Sequence, residues 1–447
     1  MKKETRLISL LLAVMLLLCA CSKAPSNDEP SDPKTDAPSS TQPEEEAPKE
    51  TAQDPVTLDV WYALSGTSGE AFLSIVEDFN ALNTGITINT SYSGGYNDTA
   101  TKITGALSSG TTPDVLVGGQ VTYTGAYGNF FAGEMAKSDA EFNFDDVYEG
   151  LWEYGRYNGE ICNIPYGIST NMMFYNKELV SGAGLDLESN PPATWADFME
   201  VCKTLKAAHS DKADFMPFVV SDQDWLTKTQ LLQCGNPVIA HNEDYSEKTA
   251  AWGVEECAKV AQWWQDMVRE GVMDMTMNEN GTNVFTAGNA AFFAGSTTKI
   301  IEWSDLMGEN LGAIEMPVFD EQAVAMGGNT ISIFPAKDDA QAQAAWTFVK
   351  YVTSTEANAK FAVNSGYMPI RVSSAETAEV KDAIAQMPTY AVGNKQLSYA
   401  YAYTNIDDYA ALSTALASAR EKVTEDLNYD ALTAMQESAE LYDEEAN

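Results

Sequence analysis

The chain has 447 residues, 65 acidic against 26 basic side chains, and a formal net charge of −39. Residues 55–447 carry −35 of that charge, which excludes the basic footprint that nucleic-acid binding requires and works against long-range attraction of an anionic ligand, although a local basic pocket stays open. The length beyond residue 54 exceeds one comfortable core and implies two domains.

In chain order, Lys2, Lys3 and Arg6 precede a short apolar run, Leu7–Leu18. This is the pattern of a secretory signal over residues 1–20, too short for an ordinary membrane span. Leu18, Cys19, Ala20 and Cys21 resemble a bacterial lipobox, which implies cleavage after residue 20 and a lipid on Cys21. Residues 21–54 are acidic and rich in Pro and Ser, with no apolar period, so a disordered tether is expected. Such a tether spans roughly 30 Å root-mean-square and would hold the globular part just off the outer face of a membrane.

The globular part opens with strand–helix alternation. "VTLDVWYAL" alternates at Val56, Leu58 and Val60, and "GEAFLSIVEDFNALN" puts Phe72, Ile75, Val76, Phe79 and Leu82 on one helical stripe. "ITINTSYSG" predicts a strand, residues 98–108 a helix, and "TPDVLVG" a short buried strand. This alternation indicates an α/β layer with parallel strands. Further on, Thr194 and Asp197 have capping-box spacing before a helix whose buried face is Phe198, Val201, Cys202 and Leu205. "VEECAKVAQWWQDMVREG" predicts a long helix ended by Gly271. "LGAIEMPVF" and "GGNTISIFPA" read as strands, the run from Ala340 to Gly366 as helix, and the acidic end from Asp407 as mostly helical.

No catalytic signature emerges. There is no G-x-S-x-G, no P-loop and no convincing dinucleotide fingerprint, and the two histidines, His209 and His241, lack supporting context. Carboxylate pairs such as Asp145–Asp146 and Asp222/Asp224 are expected by chance in so acidic a chain. Cys162, Cys202, Cys234 and Cys257 show no paired zinc spacing; Cys202 and Cys257 fall on apolar helical faces and are expected as buried thiols, while an oxidising exterior would permit a disulfide of unspecified pairing. No cofactor and no metal are expected. What does recur is an aromatic ring or a small polar residue beside glycine at predicted strand ends: "SGGYND", "PYGIST", "AGSTT", "MGGNT" and "SGYMPI". Rings stack on apolar ligand faces, neutral polar groups hydrogen-bond hydroxyls, and α/β ligands bind at strand ends.

Taken in order, "WYALSGTSGEAFLSIVEDFN", "PYGISTNMMFYNKELVSGAGLD", "PPATWADFMEVCKTLK", "VFTAGNAAFFAGST" and "SGYMPI" resemble the family 1 extracellular solute-binding proteins, the capture subunits of bacterial ABC importers. The resemblance covers nearly all of residues 55–447. It implies a two-lobed, type II periplasmic-binding-protein-like α/β fold with a hinge between lobes. The lobes are drawn as 55–168 with 310–355, and 169–309 with 356–447. Within the family the chain looks most like the glycerol-3-phosphate-binding branch. That likeness suggests Tyr96, Gln120 (where the branch has glutamate), Ser169, Ser296, Gly328 and Tyr367 as ligand contacts. It also departs from the branch: "SDQDW" puts Asp222 where a tryptophan is expected and keeps Trp225, and residues 394–409 lack the phosphate-gripping arginine. Arg371 is a weaker substitute. A dianionic phosphate beside Asp222 without a bidentate cation is disfavoured.

The sequence therefore points to a lipid-anchored, monomeric, non-enzymatic receptor. It would capture a neutral sugar or short oligosaccharide and hand it to permease subunits. The alternative solute is glycerol 3-phosphate or a glycerophosphodiester; a secreted carbohydrate-active enzyme is the alternative of another class.

Overall fold

The computed structural model describes residues 55–119, 132–403, 405 and 409–446. The signal, the lipobox with Cys21, the tether and Gln120 lie outside the described residues. The described residues form one compact unit.

Nine strands share one sheet: β1 (Val56–Tyr62), β2 (Ile86–Tyr92), β3 (Val115–Gly119), β4 (Ile164–Asn176), β5 (Met216–Val220), β6 (Ala290–Ser296), β7 (Leu311–Ile314), β8 (Val324–Ile333) and β9 (Ala400–Tyr401). The order is β2-β1-β3-β8-β4-β6-β5, with β7 also beside β4 and β9 beside β8. β1 runs parallel to β2 and β3, and β6 parallel to β5, as the strand–helix alternation implies. β8 and β4 run antiparallel between these two parallel groups. All thirteen residues of β4 are buried. Its first half pairs with β8, and its second half with β6 and β7.

Two cores lie along this sheet. The first joins Leu58, Val60, Phe72, Val117, Tyr166 and Ile168 to Ile331, Phe348, Phe361 and Ile370. The second joins Met173, Trp195, Phe198, Phe218 and Trp264 to Leu412, Leu416 and Met435, with a satellite around Phe174, Phe293, Trp303 and Tyr390.

Helix α1 (Gly66–Ala81) buries Phe72, Ile75, Val76 and Phe79 as the stripe predicts. Leu82 does not join them; it caps the helix and is 54% exposed. α2 (Tyr96–Ser109) follows β2. α3 (Trp195–Ala208) starts on the expected capping box: Thr194 Oγ1 accepts from the Asp197 amide at 3.1 Å, and Asp197 accepts from the Thr194 amide at 3.0 Å. Such a cap contributes about 1 kcal/mol. Phe198, Cys202 and Leu205 are buried there, and Val201 is partly so. α4 (Gln223–Gln233) follows β5, and α5 (Ala258–Arg269) is shorter than predicted because residues 255–257 wind as a 3-10 turn. The predicted single helix from Ala340 is two, α6 (Asp339–Val352) and α7 (Thr355–Ser365). Ser354 accepts from the Ala357 amide and restarts the chain as an N-cap. α8 (Tyr409–Glu425) and α9 (Ala431–Ala446) close the chain against α5.

Candidate functional site

α4 carries an unusual load of buried polar residues: Thr227, Lys228, Thr229, Gln230 and Gln233. Most have a partner that docks the helix. The Trp225 indole donates to the Ala325 carbonyl at 3.0 Å, and Thr229 Oγ1 accepts from the Ala325 amide at 3.1 Å, fastening α4 to β8. Gln230 accepts from Trp264 and Gln233 from Trp195. Leu226 and Leu231 anchor the helix in the second core. Asp222 is its N-cap, accepting from the Trp225 amide at 2.9 Å.

The N-terminal half of α4 borders a cavity of 320 Å³. Tyr96 at the start of α2 and Gly119 at the end of β3 border it from one side. Ser169 of β4, Ser296 at the end of β6, and Met326, Gly327 and Gly328 of β8 contribute as well, with Tyr154, Tyr367, Tyr403 and Tyr409. β3, β5 and β6 all deliver the chain to this cavity at their C-terminal ends, the usual binding edge of an α/β sheet. A larger open groove near Pro191, Pro192, Glu315 and Pro388 brings no such convergence of strand ends.

Seven of the eight residues suggested by the sequence therefore line one cavity: Tyr96, Ser169, Asp222, Trp225, Ser296, Gly328 and Tyr367. Gln120 lies outside the described residues. The Tyr96 and Tyr367 hydroxyls share a hydrogen bond at 3.3 Å. Tyr367 is fixed from behind: its ring stacks on Phe361 and its carbonyl accepts from the Tyr390 hydroxyl. Burial pushes its hydroxyl above the usual tyrosine range, against the Tyr96 and Asn329 contacts, so it stays protonated. The Trp225 ring presses against Gly327, where an added Cβ would stand 2.6 Å from the indole. Gly328 has φ +130°, and a Cβ there would meet the Gly167 carbonyl oxygen at 1.9 Å. Beside it, between Asn329 and Thr330, the β8–β4 register shifts. Tyr154 donates to the Gly328 carbonyl at 3.1 Å and secures this irregular point.

Lys228 is what the sequence reading missed. It is 3% exposed, and its Nζ donates to the Tyr409 hydroxyl at 2.8 Å. The ammonium also sits 4.9 Å from the Tyr403 ring centre and 4.7 Å from that of Tyr409. Burial opposes its charge, but Tyr403, Tyr409 and Asp222 outweigh burial and hold it above the usual lysine range. Burial raises Tyr403 to about 12, with Lys228 pulling the other way. Asp222 is exposed at the rim. A signal was present: Lys228 stands three residues after Trp225, on the same helical face. Tyr403 and Tyr409 come from the very stretch that lacks an arginine.

Arg371 and Arg420 do not line the cavity. Arg371, offered as a substitute phosphate grip, is 4% exposed and holds the Thr353 and Asn143 carbonyls and Asp146. Arg371 bridges through its backbone to Val147, and its side chain donates to Asp146. Arg420 binds Asp224 of α4, which also accepts from Ser413. Asp222 and Asp224 have separate partners: one caps α4 at the cavity and the other ties α4 to α8.

An aromatic cavity at the strand ends of a sheet threaded through two cores is the architecture of a two-lobed solute-binding protein. A family model described as bacterial extracellular solute-binding protein matches residues 74–389, and the chain belongs to that family. It is similar to the sn-glycerol-3-phosphate-binding periplasmic protein of Agrobacterium fabrum, 23% identical over 341 residues that cover 71% of this chain and 74% of the relative. The corresponding protein of Yersinia pestis is 25% identical over 359 residues, covering 75% and 79%. Among solved structures, an ABC transporter solute-binding protein of Thermotoga lettingae bound with α-D-tagatose has a TM-score of 0.72 at 18% identity, covering 88% of this chain and all of that one. The Mycobacterium tuberculosis protein in complex with glycerophosphocholine has a TM-score of 0.70 at 19% identity, covering 86% and 97%. The fold is two-lobed, as the sequence implied.

Proposed function

We propose that the chain is the capture subunit of an ABC importer for a neutral carbohydrate, a sugar or short oligosaccharide. In this reading it is held outside the cell membrane by a lipid on Cys21, works as a monomer and passes its solute to permease subunits without chemical change. The observation that carries the reading is the charge balance of the cavity. Among the described lining residues one ammonium, Lys228, faces one carboxylate, Asp222, and no arginine is present. The rest is tyrosine, tryptophan, Ser and Thr hydroxyls, Asn97, Met326 and glycine backbone, which suits a ligand with apolar ring faces and many hydroxyls. A volume of 320 Å³ is at the small end of the range for ligand sites, about 300–1,000 Å³.

The lobes in this reading follow the two cores, with the return segment of the first extended to Ile370 because Phe361, Tyr367 and Ile370 pack there. Tyr96 and Tyr367 then face Asp222, Trp225 and Lys228 across the gap, and solute contacts on both sides favour the closed state.

A second reading, glycerol 3-phosphate or a glycerophosphodiester, is favoured by the buried Lys228 ammonium and by the glycerol-3-phosphate-binding relatives. A thermal-shift panel of sugars, polyols, glycerol 3-phosphate and glycerophosphocholine separates the two. Solute at about 100 times its dissociation constant adds roughly 2.7 kcal/mol of stability. The proposal expects sugars to stabilise; stabilisation by glycerophosphates alone would replace it with the second reading. Recovery of bound sugar chemically altered would instead favour a carbohydrate-active enzyme.

A further inference from the structure

Cys234 follows the last residue of α4 and is half-buried; Cys257 precedes α5 and is fully buried in the second core, against which Cys234 packs. Asp320 holds the two positions together. Its amide donates to the carbonyl of Gln233, the neighbour of Cys234, at 3.2 Å, and its carboxylate pairs with Lys259, two residues beyond Cys257, at 2.5 Å. The 22 residues between the cysteines fold back as a hairpin of Ile239–His241 with Lys248–Ala250. The Ala251 amide donates to the Val238 carbonyl at 3.0 Å, and Asn236 Nδ2 to the Ala251 carbonyl at 2.7 Å. At the closed base of this loop Cys234 and Cys257 are neighbours close enough that each shifts the other's protonation.

We propose that Cys234 and Cys257 are a dithiol that closes to a disulfide outside the cell, stapling the C-terminal end of α4 to the start of α5. The oxidant is itself a disulfide, of a small molecule or of an extracytoplasmic oxidase. The Cys234 thiolate attacks one sulfur of that disulfide and releases a thiolate. Cys257 then loses its proton, attacks Cys234 in the mixed disulfide and releases the second. The protein loses two protons and two electrons, and the oxidant leaves as two thiols. The direction of attack follows from the site. Cys234 is the more accessible, and Cys257 beside it holds it below the usual thiol range against its burial, with Lys259 helping. Cys257, held above that range chiefly by its neighbour Cys234, is the resolving partner. The staple matters because α4 carries Asp222, Trp225 and Lys228 at its other end.

The inference rests on the extracytoplasmic location in the functional reading above. The test uses the full chain, exported by a bacterial host, alkylated without prior reduction and mapped by mass spectrometry. The expected result is a linked Cys234–Cys257 peptide, with Cys162 and Cys202 alkylated. Reduction should lower the melting temperature by about 4 °C, from the loop closed and the size of the domain. Cys234→Ala, at the more exposed position, should fold and lose this redox dependence. Alkylation of both cysteines in the exported chain and again after oxidised glutathione would overturn the proposal. A link formed by oxidised glutathione but absent from the exported chain supports the pair and counts against the oxidising location.

Discussion

Lys228→Met removes the one buried cation of the cavity and keeps an unbranched side chain of similar length. In the free protein the losses are one charged hydrogen bond to Tyr409 and two ring contacts, at about 0.5–2 kcal/mol for each ring. Against them stands relief of a buried ammonium's desolvation, several kcal/mol. Asp222, left behind, is exposed at the rim and remains solvated. These contributions oppose each other, so the variant should fold, with a melting temperature within a few degrees of wild type. Binding is where the loss shows. A sugar hydroxyl accepting from the ammonium is worth roughly 1.5–3 kcal/mol, or about 10- to 150-fold in Kd. A phosphate would lose its compensating charge, about 3–5 kcal/mol, and its affinity would fall more than about 150-fold. Titration calorimetry of both proteins with the best stabilising solute reads the difference. A Kd within twofold of wild type would refute the placement of Lys228 against the solute.

Three further outcomes follow from the same geometry. Asp222→Asn keeps an N-cap residue as good as Asp, so stability should hold within about 0.5 kcal/mol while sugar affinity falls about 10-fold; unchanged affinity in calorimetry would remove Asp222 from the site. Arg371→Met leaves Asp146 without its buried partner and should cost about 3–5 kcal/mol in denaturant melts, with no change in Kd for the folded fraction; weakened binding would restore Arg371 as a ligand contact. The Trp346 indole and then Lys350 hold Asp139 at about 2, below the ordinary 3.8. A depressed carboxylate contributes stability above its unfolded value that disappears as pH falls through the folded one. The stability gap between wild type and Asp139→Asn in urea melts should therefore be full above about pH 5 and close only as pH falls below about 2; a gap independent of pH would contradict this.

The parts of the fold legible in the sequence were those set by local chemistry. The α1 stripe and the Thr194–Asp197 capping box depend on residues a few positions apart, and both formed. Leu82 failed because periodicity alone does not say where a helix stops. The break at Ser354 hid inside an unbroken helical pattern, where a serine reads as an ordinary surface residue until its cap bond is seen. The cavity was legible through the ordered family segments, which bring Tyr96, Ser169, Ser296, Gly328 and Tyr367 together from distant positions. The buried Lys228 was not. Lys228 and Tyr409 depend on each other across 181 residues, and neither has meaning without the other.

The place of β8 in the sheet has a consequence for how the chain is made. β3 and β4 have paired partners on their outer sides, and among the described residues the seam between them is filled by β8, from Val324 onward. Until that segment has left the ribosome, the first core lacks Ile331, Phe348 and Phe361 and its central strands have bare edges. Closing a loop of that length costs entropy before any contact returns it. The nascent chain therefore cannot complete its first core until most of it has been synthesised.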